Sequence, residues 1–289
     1  MRNKFNKRLK IPWIAKSLSK EAYRSLDLSA FLREIQLGIM PIGGESDRVP
    51  EFTVDIQVGP NDEPRVLTIL ESLPRRYQYG AYSWRNLEEL LSDAVEKFAL
   101  ELVWAGCSIH KIFWDEENGG VYHLHSFRYE WLFRVFGKYR WIIPKADRHL
   151  YDKVYGVVPE KDIWNIVMPK ALGGYRGYRA MLKWFASFSN IKDAEFLVAK
   201  ITKQWGWIND SKGNCNEFYY VYRILRWQWA QACLREHIVK ELNQLFCRLD
   251  IEAEIVVKGL PTAQKILKIR QQMAEGEISF SDALDACWL

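Results

Sequence analysis

Two long helical patterns joined by one short turn occupy the stretch from Gly173 to Leu249. The first runs from about 175 to 203 and the second from about 217 to 249, each on the order of 45 Å at ~1.5 Å per residue. A hairpin of that length exceeds what the private core of a 289-residue chain needs. We therefore expect it to pack against other copies of the chain or a large partner, as the wall of an oligomer does.

The chain is unusually aromatic, with 13 Trp, 14 Tyr and 14 Phe. Aromatic side chains supply large contact areas and are enriched in the buried centres of interfaces, although an aromatic-rich core would account for them equally well. Trp227 and Trp229 are two residues apart and cannot share a helix face. The second arm therefore needs contacts on two sides, from neighbouring helices or from subunits, and both residues are candidates for a subunit interface.

Positive charge is concentrated in two segments, although the net charge is only +5. Residues 1–20 carry seven Lys or Arg and no acid, and residues 171–216 carry seven basic residues against three acids. Such a distribution favours an anionic partner such as nucleic acid, while a solvated basic face remains an alternative.

The sequence predicts a cytosolic protein without a membrane span. No apolar run reaches the ~20 residues that a span needs, and the N-terminus lacks the hydrophobic core of a secretory signal. The five cysteines are odd in number and include no C-x-x-C, so neither a disulfide framework nor a zinc site is indicated. We expect reduced cysteines that serve mostly in packing.

An α+β body of about 170 residues is predicted before the hairpin. Helical patterns cover residues 18–37 and the stretch from Ser83 to Gly106. Predicted strands cover residues 52–58, 108–114, 121–127, 129–135, 139–143, 153–157 and 163–168.

After the hairpin we expect a strand at 251–257 and a helix that Pro261 opens and Gly276 ends. A terminal turn should follow with Ser279 as its N-cap and Asp282 at the third position.

Catalytic motifs are absent from the sequence. It contains no phosphate-binding glycine loop, nucleophile elbow or H-E-x-x-H pattern, so we expect neither an enzyme nor a cofactor. His123 and His125 share a strand face and would hold a metal only with a third ligand. The acidic clusters at 88–89 and 115–117 leave open a metal-dependent nuclease, although solvated charges are expected at both places.

The order of the elements resembles that of the portal proteins of tailed bacteriophages, which form the ring at the capsid vertex through which DNA is packaged and ejected. The resemblance extends over residues 84–289. Portal chains commonly follow an amphipathic helix with a G-x-S-x-x-x-I-x-W strand, an acidic glycine turn and a strand ending in arginine. They continue with a Pro-bounded segment, a glycine entry into a long helix, a Gly- and Asn-rich turn, a second long helix, a strand, a helix and a G-x-I-S segment. The corresponding stretches here are 105–114, 115–120, 122–128, 159–168, 174–182, 205–214, 233–249, 252–257 and 275–284, with Asp282 where an acid is expected.

This resemblance implies a compact or minimal portal. It implies an α/β wing body (1–170, including the N-terminal arm), a hairpin stem (171–249) with a short clip-like tip at 205–216, and a small C-terminal α/β cap (250–289). Portal proteins are usually much longer, and only about a dozen residues join the two stem helices here. Trp205, Trp207 and Asn209 are the candidate contact residues of the tip.

The partners implied by the resemblance are other copies of the chain in a closed ring, typically of twelve, together with the major capsid protein, the head-tail adaptor, the terminase and double-stranded DNA of any sequence. The expected location is the virion, after assembly in the host cytoplasm. The candidates for surfaces near DNA or the motor are Lys183, Lys192, Lys200, Lys203 and Lys212. The alternatives are a basic nucleic-acid-processing protein, which includes the nuclease, and a helical scaffold protein unrelated to portals.

Overall fold

Helices and strands are mixed along the chain, which is an α+β protein as the sequence predicts. The computed structural model describes residue 39 and residues 53–73, 87–116, 120–126, 132–136, 138–143, 148–149, 155–174, 205–206 and 216–288. The helices of this part are α1 (Glu63–Ser72), α2 (Leu87–Ala105), α3 (Glu217–Arg248), α4 (Ala263–Ala274) and α5 (Phe280–Trp288). Its strands are β1 (Thr53–Val58), β2 (Cys107–Asp115), β3 (Val121–Ser126), β4 (Leu132–Val135), β5 (Lys138–Ile142), β6 (Tyr155–Val158), β7 (Ile163–Val167) and β8 (Ala253–Lys258).

The predicted elements that fall in the described ranges are confirmed, with small shifts at their ends. The second arm of the hairpin is α3, which begins after Asn216, whose side-chain oxygen accepts a hydrogen bond from the Tyr219 amide at 2.8 Å. Ser279 and Asp282 form the predicted reciprocal cap, since each side chain accepts from the other residue's amide, at 3.0 and 3.3 Å. The predicted helix at 18–37 and the first arm at 175–203 lie outside the described residues.

Three antiparallel sheets are formed by the eight described strands. β1 pairs with β8, β2 lies between β3 and β7, and β5 lies between β4 and β6. In the β1–β8 ribbon Val54 is opposite Val257 and Ile56 is opposite Ile255. These side chains share one face, so the ribbon presents an apolar surface to the core.

The main core lies between the β1–β8 ribbon, α1, α2 and one side of α3. Phe98 and Leu102 of α2 are fully buried there, as are Leu242 and Phe246 of α3. Burial of a side chain of this size contributes roughly 1.5–3 kcal/mol. The apolar face of α2, which its sequence repeat predicts, therefore packs in a core with α3, a helix from the C-terminal part of the chain.

The opposite side of α3 builds a second core with α4 and α5. Val221 and Leu225 of α3 pack there with Ile269 and Met273 of α4 and with Ala283 of α5. The same chain covers two sides of the second arm between Val221 and Ala232 and one side further along, where Glu236, Lys240 and Gln244 are exposed. The expectation that the hairpin packs against other copies of the chain or a large partner stays a prediction. The β1–β8 pairing also joins the predicted wing body to the predicted cap across the boundary after Leu249.

Asn243 of α3 closes the second edge of β8. Its side-chain nitrogen donates to the Ile255 carbonyl at 3.1 Å, and its side-chain oxygen accepts from the Ile255 amide at 2.9 Å. The carboxamide thus takes the place of a further strand. Two backbone groups that point away from β1 are satisfied in this way.

We predict that Asn243→Ala lowers the free energy of unfolding by about 1–3 kcal/mol, because it leaves the Ile255 amide and carbonyl without partners. Urea unfolding followed by circular dichroism measures the change. The matched control is Gln244→Ala, since Gln244 is the next residue on α3 and is exposed. Equal losses in the two variants would contradict the role of Asn243.

Candidate functional site

Most of the site residues predicted from the sequence lie outside the described part of the chain. This applies to Trp207 and Asn209 of the tip and to all five candidate lysines, namely Lys183, Lys192, Lys200, Lys203 and Lys212. Their proposed contacts with DNA, motor or adaptor stay predictions.

Trp205, the first residue of the predicted tip, is buried in the main core together with Trp227 of α3. The next residue, Gly206, has φ of 97°, and a Cβ atom there would lie 2.1 Å from the Arg223 carbonyl oxygen. Glycine is therefore required where the chain crosses α3. The Trp205 side chain is held against α3 and does not project as a contact residue, whereas the role of the tip itself stays a prediction.

Trp227 and Trp229 do use two sides of α3, as their spacing predicts. Trp227 is buried in the main core, and Trp229 is half-buried and packs against both cores. The Arg270 guanidinium lies 5.9 Å from the Trp229 ring centre. Neighbouring helices of the same chain supply these contacts, and a subunit-interface role for the two residues stays a prediction.

A buried polar cluster, which the sequence did not reveal, joins α2 to β2. The Ser108 hydroxyl donates to a Glu101 carboxylate oxygen and lies 2.6 Å from Nε2 of His110. Lys97 Nζ lies 3.9 Å from the other carboxylate oxygen of Glu101. Ser108 and His110 are fully buried, and the His110 ring packs against the edges of Phe98 and Trp164. The available signal was weak, namely a pair of polar residues two apart at the start of a strand that also contains Lys111 and Asp115.

The cluster has the residue types of a serine hydrolase triad but a different arrangement. In a triad the acid binds Nδ1 of the histidine and the serine lies at Nε2. Here Glu101 bonds to the serine and lies 3.8 Å from the same Nε2 atom. A substrate would also need access to a hydroxyl that is fully buried. The arrangement therefore satisfies buried polar groups and has no geometry for acyl transfer.

Burial holds the pKa of His110 well below its ordinary value of 6.5, and the charge on Lys97 acts in the same direction. Burial also lowers the pKa of Lys97. A neutral His110 can donate from Nε2 to Ser108, which in turn donates to Glu101. This chain of donors matches the observed contacts.

The described histidine and carboxylate groups do not assemble a metal centre. His123 and His125 lie on β3, where His123 Nε2 is 3.6 Å from Asp115 and the His125 ring packs against Phe113. Glu89 lies on an exposed part of α2. Within the described ranges no three His, Cys, Asp or Glu side chains are grouped to hold an ion.

Cys107, Cys233, Cys247 and Cys287, the four described cysteines, form no disulfide with one another. Burial raises the pKa of Cys233 and of Cys287 to about 12, which disfavours the reactive thiolate. No described helix combines the length and the hydrophobicity that crossing a membrane would require.

Within the described part of the chain, we consider two surfaces as candidates for binding. The first, the outer sheet face, has exposed side chains from β5 and β6 and from the turn before β5. Its members are Phe136, Lys138, Arg140, Ile142, Tyr155 and Val157. The second, the acidic groove, has a volume of about 800 Å³ and lies between the β1–α1 loop and the α3–β8 turn. Its acidic members are Asp62, Asp250, Glu252 and Glu254.

Arg65 and Asp62 organise the base of the acidic groove. Their side chains form an ion pair at 2.6 Å, and Arg65 also donates to the carbonyls of Leu249 and Asp250 at the end of α3. Hydrogen bonds from the Glu252 amide and from Arg65 lower the pKa of Asp62. In the described part of the chain no ion pair involves the other acidic members of the groove.

Comparisons with known proteins found no matching family model, no similar curated protein and no similar solved structure.

We predict that the buried His110 makes the fold sensitive to acid. Its pKa is lower in the folded than in the unfolded chain, so stability is fully present above about pH 6.5 and decreases as the pH falls below that value. The loss should be about 1.4 kcal/mol per pH unit until His110 is protonated in the folded state. Urea unfolding between pH 7.5 and 5 measures it.

His110→Phe removes the titrating group and should flatten this pH dependence, whatever its effect on stability at pH 7.5. The control is His149→Phe, because His149 is exposed. The assignment fails if His110→Phe keeps the full pH dependence of the wild-type chain.

Proposed function

We propose that this chain is the subunit of a compact phage portal, a closed ring that serves as a channel for DNA. One observation carries the proposal, namely the order of the elements. An amphipathic helix (α2) leads into an antiparallel hairpin (β2–β3), and a long helix (α3) leads through a short strand (β8) into two final helices. Of the sequence patterns that resemble those of portal proteins, 105–114 lies on the end of α2 and on β2, 233–249 lies on α3, 252–257 lies on β8, and 275–284 leads from α4 into α5.

The length of α3 supports a stem role. Its 32 residues span about 48 Å at 1.5 Å per residue, against 19 residues in α2. Although its side chains from Val221 to Ala232 pack in both cores, its first turn carries exposed aromatic residues. Phe218, Tyr219 and Tyr220 are 38%, 45% and 49% exposed. Aromatic groups of this kind suit contact with a neighbouring subunit or with the first arm of the hairpin.

In the proposed assembly copies of the chain form a ring, typically of twelve, at the capsid vertex of the virion. Its wing body (1–170) and C-terminal cap (250–289) would surround the stem (171–249), and its partners would be the capsid protein, the adaptor and the terminase. The chain itself would not be an enzyme, since the packaging ATPase is a separate protein. DNA would be held through phosphate contacts that are independent of sequence and weak enough to let the duplex move.

We predict that the purified full-length chain forms a ring of several hundred kilodaltons. Twelve copies of a 34.1 kDa chain come to roughly 400 kDa. Light scattering coupled to size-exclusion chromatography gives the mass, and negative-stain images show whether the particle is annular.

A stable monomer that cleaves DNA only when a divalent metal is present would replace the portal proposal with the nuclease alternative. A stable monomer or small oligomer without cleavage would contradict both. The cleavage assay should include a chelator control, which separates metal-dependent activity from contaminating nucleases.

We predict that the five candidate lysines supply phosphate contacts to duplex DNA. If all five contact phosphates, their replacement by glutamine should reduce the slope of log K against log salt by about 4.5. Fluorescence anisotropy with two duplexes of unrelated sequence measures the binding. The matched control replaces five lysines that are exposed elsewhere in the chain, namely Lys161, Lys170, Lys240, Lys265 and Lys268. Equal changes in the two variants would show that the candidate lysines have no special role.

A further inference from the structure

The outer sheet face is the exposed side of strands β5 and β6, whose other side packs against the neighbouring sheet. On the inner side Tyr139, Trp141 and Val158 pack against Ile109 and Ile163 of the neighbouring sheet. Because side chains alternate along a strand, the residues between them point the other way. The exposure alternates in the same manner along β5 and β6. The outer face is thus a direct consequence of the inner packing.

This face combines contiguous apolar side chains with positive charge. Ile142 is opposite Tyr155, and Arg140 is opposite Val157, so the four side chains are cross-strand neighbours. Tyr155 is 70% exposed and Val157 is 57% exposed. Lys138 adds a second cation to the same face, and β5 and β6 themselves contain no acidic residue. Apolar side chains grouped in this way commonly mark a protein–protein contact.

Duplex DNA is a poorer occupant than a protein. Phosphate contacts need cations and polar donors, whereas exposed isoleucine, valine and phenylalanine gain most from an apolar partner. The cations favour a partner whose apolar surface is rimmed by carboxylates. The acidic groove of the chain supplies such carboxylates, together with a smaller apolar lining.

The acidic groove has the complementary properties. Asp250, Glu252 and Glu254 are exposed along it, and Val58 and Pro60 supply apolar lining. The groove is formed by the β1–α1 loop and the α3–β8 turn, whereas the outer sheet face is formed by β5 and β6. The two surfaces therefore come from different elements. Two different complementary surfaces on one chain permit a head-to-tail contact, which gives a closed ring when its rotation closes and a filament when it does not.

We propose that the outer sheet face of one copy docks into the acidic groove of a neighbouring copy. Lys138 and Arg140 then approach the carboxylates of the groove, while Tyr155 and Val157 are removed from water. The inference rests on the proposed portal function for the expectation that the chain forms a ring. It deepens that function by naming the two surfaces that join neighbouring subunits.

Charge reversal on each surface tests the contact. The face variant is Arg140→Glu, and the groove variant combines Glu252→Arg with Glu254→Arg. We expect each variant to raise the concentration at which half of the chains are assembled by at least tenfold, as measured by light scattering. Circular dichroism checks that each variant is folded. The control variants, Lys268→Glu and Glu277→Arg, reverse exposed charges near the C-terminus and should assemble like the wild-type chain.

Mixing the two variants provides the decisive measurement. In a head-to-tail contact the mixture forms two kinds of junction. One joins the unaltered groove of the face variant to the unaltered face of the groove variant. The other joins the two altered surfaces, whose charges are again opposite. The mixture should therefore assemble at least tenfold more readily than either variant alone. A contact that pairs like surfaces would be altered by only one of the two reversals, so the other variant alone would assemble like the wild-type chain.

The outcomes separate this inference from the portal proposal. Rings that form normally from the face variant would overturn the docking inference and leave the portal proposal standing. Filaments or small oligomers that respond to both reversals and recover on mixing would support the docking inference and contradict the portal. A monomeric wild-type chain would overturn both. Loss of DNA binding by Arg140→Glu with unchanged assembly would assign the face to nucleic acid instead.

Discussion

The burial of α3 on two sides is the interaction on which the rest of the fold depends. Phe246 and Leu242 on one side complete the main core, and Val221 and Leu225 on the other complete the core with α4 and α5. Neither core is closed without this helix. A helix that is apolar on two sides is unusual for the surface of a small protein, and it explains why the sequence pattern resembles that of an oligomer wall. Many of the apolar side chains of α3, a helix whose length suggested subunit contacts, are buried within the chain.

Polar side chains on the same helix determine where its neighbours lie. Arg235 is buried, donates to the carbonyls of Ile39 and Pro261, and has its pKa lowered by burial to about 10. The ring of His237 contacts the Val167 carbonyl at 2.7 Å, and Arg248 donates to the Ile163 carbonyl at 3.0 Å. Carbonyls that would otherwise be buried without partners are satisfied only in this arrangement. Apolar packing supplies most of the stability, and these bonds select one position for each element.

Local patterns were sufficient to predict most of the described elements, although α1 (Glu63–Ser72) was missed, but they did not predict the partners of these elements. The apolar repeat of α2, the cap formed by Ser279 and Asp282, and the start of α3 after Asn216 depend on residues a few positions apart, so the sequence shows them directly. The β1–β8 pairing and the bonds of Asn243 to Ile255 depend on how the chain returns on itself, which no local period encodes. The cluster around His110 was missed for the same reason, because its members lie on two elements that each look ordinary alone.

Long-range pairing also explains why the chain has two unlike surfaces. The acidic groove exists because β8 returns to β1, which brings Glu252, just before β8, and Glu254, within β8, beside the loop that follows Val58. The outer sheet face exists because only one side of β5 and β6 is needed to cover Ile109 and Ile163. The fold thus creates an acidic concave surface and a basic apolar one through independent packing requirements. Since the charged residues to be exchanged, Arg140, Glu252 and Glu254, belong to neither core, both surfaces can be altered without removing a core side chain, and assembly can be tested separately from folding.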